Sequence, residues 1–293
     1  MAAAGAAIGA LWLFGMLGLL ERLAYFPLRD TPPAPAGIED VWFRAEDGTR
    51  LHGWFVEARP SPGRSEPVGS VLMLHGNAGN VSHHLGFVGF LPRAGFNLLV
   101  FDYRGYGRSD RGSLKRAHMY RDAHAALDAL SARDDVDPGR IVIFAQSLGA
   151  AFGSHLMADR RDVRAGVLMS AFSSWREMAA SVFGLRRPGP AARTVGRFLL
   201  PAGLDPVDAI ARIEERPVLL IHGTDDEIVP FAHARRLASA SGPNVRLRAV
   251  EAGDHNGLIW MAPELTTEIA EFYREALEPH EGGTLPGPAA PPS

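Results

Sequence analysis

Short apolar runs alternate with longer mixed segments over most of the chain. Six runs have the length and side-chain character of strands: residues 70–75, 97–102, 140–145, 164–170, 217–222 and 245–250. Five further segments are long enough for helices: residues 81–94, 116–132, 148–159, 231–240 and 263–277. Because strands alternate with helices, we predict an α/β fold with a mostly parallel sheet and helices on both faces.

The pattern begins with a hairpin and contains one long interruption. Residues 41–45 and 50–56 are β-rich and are joined by Glu-Asp-Gly-Thr, a typical turn sequence, so they add two strands and bring the expected sheet to eight. The connection between the runs at 164–170 and 217–222 is too long for an ordinary loop. We predict one domain at residues 38–278, with a helical cap inserted at residues 171–213.

The two ends of the chain differ from this domain. Residues 1–20 carry no charged side chain and have the length of a bilayer-spanning helix, which predicts an uncleaved N-terminal transmembrane anchor. A cleaved signal peptide and a buried helix are the alternatives. Arginines follow this segment and none precedes it, so we expect a single-pass, membrane-anchored protein with its folded domain in the cytoplasm. Residues 279–293 are rich in Pro, Gly and Ala and predict a disordered tail.

Composition excludes several classes of function. The 293 residues carry a net charge of −3 and no long basic run, so nucleic acid is not an expected partner. The chain has no cysteine, which excludes disulfides, a thiol nucleophile and thiolate metal ligands. His83, His84, His118 and His124 lack the spacing of a metal-binding helix. We therefore expect neither a metal nor an organic cofactor.

Ser147 lies in a pattern that is typical of a catalytic nucleophile. The stretch Ala-Gln-Ser-Leu-Gly, residues 145–149, follows a strand-length run and opens a helix-length segment. It resembles the nucleophile elbow G-x-S-x-G, with Ala145 in place of the first glycine. So short a pattern is common by chance, and a serine here could also cap the helix. Its neighbours along the predicted sheet decide between the two interpretations.

The loops after the other strands supply an acid and a base in the order Ser…Asp…His. They read HGNAGN at 75–80, FDYRGYGRSD at 101–110, HGTDDEIVP at 222–230 and EAGDHNGL at 251–258. The carboxyl ends of parallel strands form one edge of a sheet, where ligands bind, so we expect these loops to surround a common site. The set indicates nucleophilic catalysis by a serine, with a histidine to take its proton.

His255 is the candidate base because it follows the last strand and is flanked by glycines, whereas His75 and His222 end strands and are interpreted as structural. The acid that orients the imidazole is Asp225 or Asp226. Asp208 and Asp254 are weaker candidates, because they suit a helix start and a loop. Asp102 and Asp110 belong to a turn that we interpret as structural support and part of the pocket wall.

Taken together, the motifs resemble the α/β-hydrolase superfamily. More narrowly, the chain is similar to membrane-anchored α/β-hydrolase-domain-containing proteins, whose eukaryotic relatives include protein depalmitoylases. The similarity lies in the N-terminal apolar segment, Tyr-Phe-Pro at 25–27, HGNAGN, FDYRGYGRSD, Gln-Ser-Leu-Gly at 146–149 and HGTDDEIVP. The resemblance covers residues 21–277, and its one departure, Ala145, adds a single methyl group where the helix crosses the strand. The family pattern H-G-x-x-D-x-x-V-P assigns the acid to Asp226.

The resemblance also implies where a developing oxyanion is bound. In this fold one backbone N–H comes from the residue after the nucleophile and one from the loop after the third strand, which correspond here to Leu148 and Asn77. The implied activity is that of a carboxylesterase or thioesterase that cleaves a small acyl ester or thioester through an acyl-enzyme on Ser147. A peptidase or amidase on the same triad and a catalytically silent membrane-tethered scaffold are the alternatives.

Overall fold

A computed structural model of the chain describes residues 22, 24–60, 66–182 and 203–278. Its centre is an eight-stranded sheet, whose strands in chain order are β1 Glu39–Arg44, β2 Arg50–Val56, β3 Gly69–Leu74, β4 Phe96–Asp102, β5 Ile141–Gln146, β6 Val163–Met169, β7 Val218–Gly223 and β8 Val245–Val250. The described helices are α1 Val81–Val88, α2 Arg116–Ser131, α3 Leu148–Asp159, α4 Trp175–Val182, α5 Pro206–Ile210, α6 Ala232–Ala240, α7 Leu258–Met261 and α8 Leu265–Leu277.

The strand order in the sheet is β8-β7-β6-β5-β3-β4-β2-β1. Strand β2 pairs antiparallel with β1 and β4, and all the other pairs are parallel. The chain passes from β3 to β4 on one side and then returns to place β5 on the other side of β3. Crevices at such a change of direction are where α/β sheets bind ligands. The prediction of an eight-stranded, mostly parallel α/β fold is confirmed.

The sheet is covered on both faces because its central strands carry apolar side chains on both faces. In β5, Ile141, Ile143 and Ala145 belong to one buried cluster with α2 and α3, while Val142 and Phe144 belong to a second cluster with α1 and α8. Successive side chains of a strand point to opposite faces, so a continuous apolar run requires cover on both sides. Burial of this kind fixes the strand ends, and with them the loops that follow.

One helix differs from its expected length. The sequence predicts a helix over residues 81–94, but α1 ends at Val88 and a separate 3₁₀ turn covers Pro92–Ala94. Pro92 has no N–H to continue a helical ladder, and Gly95 closes the turn with a φ of 94°. The break lets the chain enter β4 directly from the turn.

The prediction of a membrane-anchored protein with a cytoplasmic catalytic domain is wrong for the part of the chain that the structure describes. Within that part, no helix combines the length and the apolar character that a bilayer crossing requires. The predicted anchor, residues 1–20, lies outside the described residues. That prediction used length and hydropathy, which a cleaved signal or a buried helix shares with a membrane span.

The domain boundaries remain a prediction. The expected tail at 279–293 and the middle of the expected cap, residues 183–202, lie outside the described residues. The described ends of the expected cap lie against each other: the Trp175 N–H donates to Asp205 Oδ1 at 2.7 Å, and the Trp175 indole N–H donates to the Leu204 carbonyl at 2.6 Å. These bonds hold the two described ends of the insertion together.

Helix α3 crosses β5 at very short range, which gives a testable prediction. A Cβ placed on Gly153 would lie 2.8 Å from the Ala145 Cβ, too close for two carbon atoms. Overpacking of this kind costs about 1–3 kcal/mol. We expect Gly153→Ala to destabilise the protein more in the wild type than in an Ala145→Gly background, with a coupling energy of about 1 kcal/mol or more.

Urea unfolding of the wild type, the two single variants and the double variant measures this coupling. The gain in helix propensity from glycine to alanine is the same in both backgrounds, so it cancels from the comparison. Additive effects of the two substitutions would show that the crossing is not tightly packed.

Candidate active site

Ser147 occupies a strained turn between β5 and α3. Its φ of 52° and ψ of −111° lie outside the regions that non-glycine residues normally adopt. Two contacts hold the turn: the Ser147 N–H donates to the Met169 carbonyl at 2.9 Å, and α3 begins so close to β3 that a Cβ on Gly149 would lie 2.0 Å from the Leu74 carbonyl oxygen. This geometry places Ser147 beyond the end of β5, where the residue is half-buried.

The structure brings Ser147, His255 and Asp226 together in one hydrogen-bonded chain. His255 Nε2 lies 3.0 Å from Ser147 Oγ, and His255 Nδ1 lies 2.7 Å from Asp226 Oδ2. Because the carboxylate accepts from Nδ1–H, Nε2 is left as an acceptor for the serine hydroxyl. The His255 carbonyl in turn accepts a hydrogen bond from Ser170 Oγ at 2.9 Å, which fixes the loop that carries the imidazole.

Asp226 is fully buried and bound by several donors. Its Oδ1 accepts from the N–H groups of Ile228, at 2.9 Å, and Val229, at 2.7 Å. Burial by itself would raise the pKa of Asp226, but hydrogen bonds from His222, His255 and the Val229 N–H outweigh burial and hold the pKa below its ordinary value. The carboxylate is therefore ionised at neutral pH and able to stabilise an imidazolium.

The other acid candidates lie elsewhere. Asp225 is exposed, and its Oδ1 accepts from the Thr224 hydroxyl at 3.3 Å. Asp254 caps its own loop through the N–H groups of Asn256 and Gly257. Asp208 lies in the short helix α5. Of the four carboxylates that the sequence left open, Asp226 is the one hydrogen-bonded to His255.

A second imidazole, which was not predicted as part of the site, lies beside the acid. His222, interpreted as structural, places Nε2 2.8 Å from the Val229 carbonyl and 3.3 Å from Asp226 Oδ2. A single Nε2–H can thus be shared between the two oxygens. The signal was present in the sequence, because His222 precedes Asp226 by four residues across the tight turn that starts at Gly223.

The backbone N–H groups of Asn77 and Leu148 are the expected oxyanion donors. Leu148 is the first residue of α3, where helical N–H groups lack intrahelical acceptors. Among the described residues, neither N–H donates a backbone hydrogen bond. A Cβ on Gly149 would approach the carbonyl oxygens of both Leu74 and His75, so the start of α3 directly adjoins the loop that carries Asn77. Both donors therefore lie at the same edge of the sheet as Ser147.

Three carbonyl groups of that loop, residues 75–80, are turned into the protein interior. His75 Nδ1 lies 2.7 Å from the Gly76 carbonyl, His84 Nε2 lies 2.6 Å from the Ala78 carbonyl, and the Tyr106 hydroxyl donates to the Asn77 carbonyl at 2.7 Å. Burial lowers the pKa of His75 well below its ordinary value and that of His84 to about 4, so both rings are neutral. These bonds engage the loop's oxygens and leave the Asn77 N–H available.

No group of His, Asp or Glu side chains among the described residues could hold a metal ion. Three of the four histidines considered for metal binding have other partners: His83 Nδ1 lies 3.0 Å from Asn80 Oδ1, His84 Nε2 bonds the Ala78 carbonyl, and His124 packs edge-on against Tyr120. The FDYRGYGRSD turn supports the fold, since Asp102 is buried and accepts from the Val81 N–H at 2.9 Å.

The chain is similar to known proteins in its sequence and in its fold. A family model described as alpha/beta hydrolase fold matches residues 69–194. The alpha/beta hydrolase domain-containing protein WAV2 of Arabidopsis thaliana is 34% identical over 253 residues, which cover 80% of this chain and 80% of the relative. Protein YfhR of Escherichia coli (strain K12) is 36% identical over 225 residues, covering 76% of this chain and 75% of the relative.

Solved structures agree on the fold. An esterase from Pyrococcus furiosus superposes with a TM-score of 0.70 at 20% identity, covering 87% of this chain and 98% of the esterase. At this identity the likeness concerns architecture alone. The identity and coverage of the sequence relatives, together with the sheet order and the elbow at Ser147, show that the chain belongs to the α/β-hydrolase family.

Proposed function

We propose that the protein is a serine hydrolase that cleaves acyl esters or thioesters through a covalent acyl-enzyme on Ser147. The observation that carries the proposal is the continuous hydrogen-bonded chain from Ser147 Oγ through the His255 ring to the buried Asp226 carboxylate. A serine hydroxyl is a weak nucleophile unless a base removes its proton during attack. His255 Nε2 lies within hydrogen-bonding distance of that proton.

In the first half of the reaction Ser147 Oγ attacks the carbonyl carbon of the substrate, and its proton passes to His255 Nε2. The carbonyl oxygen becomes an oxyanion, which the N–H groups of Asn77 and Leu148 bind. The imidazolium then protonates the leaving alcohol or thiol as the carbon–oxygen or carbon–sulfur bond breaks, and the acyl group stays on Ser147. Fixed donors aimed at developing charge typically supply the largest electrostatic share of such catalysis.

In the second half a water molecule replaces the leaving group. His255 removes a proton from the water as its oxygen attacks the acyl carbon, and the same two N–H groups bind the second oxyanion. The proton returns from His255 to Ser147 Oγ when the acyl–serine bond breaks, which releases a carboxylic acid and restores the enzyme. Asp226 keeps the imidazole in one tautomer throughout and stabilises its charged form. The mechanism uses neither metal nor organic cofactor.

Two observations support an ester or thioester substrate. The structural neighbour from Pyrococcus furiosus is an esterase. In addition, large apolar side chains are exposed near two triad residues in the chain. Ile228 is 50% exposed in the loop that carries Asp226, and Trp260 is 58% exposed on the helix that follows His255. Such side chains suit contact with the apolar part of an acyl compound. Cleavage of amides would favour the peptidase or amidase alternative. The absence of turnover would favour the catalytically silent scaffold.

The first prediction from this proposal concerns the triad. We expect Ser147→Ala and His255→Ala each to lower kcat on a p-nitrophenyl ester by about 10⁴-fold or more, and the double variant to be no worse, because the two residues act as a unit. Asp226→Asn retains more activity. A fluorophosphonate probe, which reacts with activated serines, is expected to label the wild type but not Ser147→Ala. Equal labelling of both proteins would contradict the assignment of the nucleophile.

The second prediction concerns pH and stability. The pKa of Asp226 is lower in the folded chain than in the unfolded chain, so ionisation stabilises the fold above the unfolded pKa, and this contribution is lost as the pH falls. We expect the free energy of unfolding of the wild type to exceed that of Asp226→Asn near neutral pH. The gap is expected to narrow from about pH 5 to about pH 3.

Urea titrations of the two proteins at several pH values measure this gap. Other carboxylates titrate in both proteins and cancel from the difference. A gap that stays constant or widens on acidification would show that Asp226 is not bound as an anion.

A further inference from the structure

The chain before the first strand of the sheet lies against the loop that carries Asn77. We call residues 24–30 the N-terminal strap and residues 75–80 the oxyanion loop. Phe26 and Pro27 form a short parallel pairing with Ala78 and Gly79. The pairing continues with a hydrogen bond from the Leu28 N–H to the Gly79 carbonyl at 3.0 Å. The strap thus adds a strand to the loop itself, separate from the main sheet.

The side chain of Asn77 bonds the strap at two points. Its Nδ2 donates to the Ala24 carbonyl at 2.7 Å, and its Oδ1 accepts from the Phe26 N–H at 3.3 Å. The buried Tyr106 hydroxyl, which donates to the Asn77 carbonyl, also lies 3.0 Å from Asn77 Oδ1. Every polar group of the Asn77 side chain is therefore used in holding the residue between the strap and Tyr106.

The other end of the strap is bonded to the end of the same loop. Buried Asn80 donates from Nδ2 to the carbonyls of Leu28, at 3.2 Å, and Asp30, at 2.8 Å. Its Oδ1 accepts from the Ser82 N–H at 3.0 Å and so caps α1. The loop is consequently fixed at Asn77 and again at Asn80, with the strap spanning the two.

The strap is also fixed to the neighbouring turn after β4. The Gly107 N–H donates to the Leu28 carbonyl at 2.9 Å, and the Arg29 guanidinium donates to the Ser109 carbonyl at 2.8 Å. By contrast, the side chains of Phe26 and Leu28 are 55% and 51% exposed. Hydrogen bonds and the buried Tyr25 side chain therefore hold the strap in place, more than burial of Phe26 and Leu28 does.

We propose that the N-terminal strap and Tyr106 position the Asn77 N–H for oxyanion binding, so that they act as positioning residues although none is in the triad. The inference rests on the proposed function, since it assigns a role in that reaction. A donor stabilises a transition state fully only when its position is fixed before charge develops. The oxyanion loop receives that rigidity from a segment about 50 residues away in sequence, as the Phe26–Asn77 separation of 51 shows.

The test uses full-length variants that remove single hydrogen bonds. Leu28→Pro removes the N–H that bonds the Gly79 carbonyl, and Leu28→Ala is its matched reference because it removes the same exposed side chain but keeps the N–H. Tyr106→Phe removes the hydroxyl that bonds Asn77 and keeps the buried ring. For each variant, kcat and KM on a p-nitrophenyl ester, the melting temperature and the affinity for an aryl trifluoromethyl ketone are measured. This ketone forms a tetrahedral oxyanion on the serine.

We expect kcat of Leu28→Pro to be about tenfold below that of Leu28→Ala, and kcat of Tyr106→Phe to be about tenfold below that of the wild type. KM is expected to stay constant, and the affinity for the ketone to fall by the same factor as kcat. A purely structural role would lower the melting temperature without a parallel loss of kcat and ketone affinity at constant KM. Any effect on the site would then weaken substrate binding and oxyanion binding alike, and KM would change as well.

Values of kcat and ketone affinity within twofold of the references would overturn the inference, as would a loss confined to the melting temperature or KM. Failure of the proposed function has a different signature: Ser147→Ala would then retain turnover, or the wild type would have none on esters and thioesters. The two proposals can thus fail separately.

Discussion

The backbone at Ser147 is the constraint on which the rest of the site depends. A φ of 52° at a residue with a side chain is costly, of the order of 1–3 kcal/mol, and persists only where the surroundings enforce it. Here β5 is buried on both faces, α3 starts against the Leu74 carbonyl, and Gly149 lies where a side chain could not fit. The hydrophobic core therefore stabilises a turn that would not form in isolation.

The remaining groups are placed relative to that turn by the order of the strands. Strands β7 and β8 carry Asp226 and His255 on one side of β5, and β3 carries the oxyanion loop on the other. On the first side, hydrogen bonds from two imidazoles and a backbone N–H keep the buried Asp226 carboxylate ionised. On the second, neutral imidazoles and Tyr106 engage carbonyl oxygens so that an amide is left free. In the proposed reaction, the side with Asp226 and His255 transfers a proton, and the side with Asn77 binds a transient negative charge.

Local sequence predicted the elements well because apolar runs form buried strands, as at Phe96–Asp102, which is buried throughout and which the sequence predicted to within one residue. It located the loops of the site for the same reason. It did not choose between Asp225 and Asp226, a choice that came from the family pattern, and it missed the bond from His222 to Asp226. It also missed the contacts of the Asn77 side chain, whose partners Ala24 and Phe26 are distant in sequence. Contacts between remote segments leave no local pattern.

The most direct test of the account is to trap the acyl-enzyme and locate it. The wild type is mixed rapidly with a chromogenic acyl ester, quenched in acid within the first turnover, and digested for peptide mass spectrometry. If Ser147 is the nucleophile, we expect it to be the single acylated site, formed with a burst of one equivalent of alcohol per enzyme. Acylation at another residue, or turnover without any covalent intermediate, would contradict the central claim that the strained serine is the nucleophile.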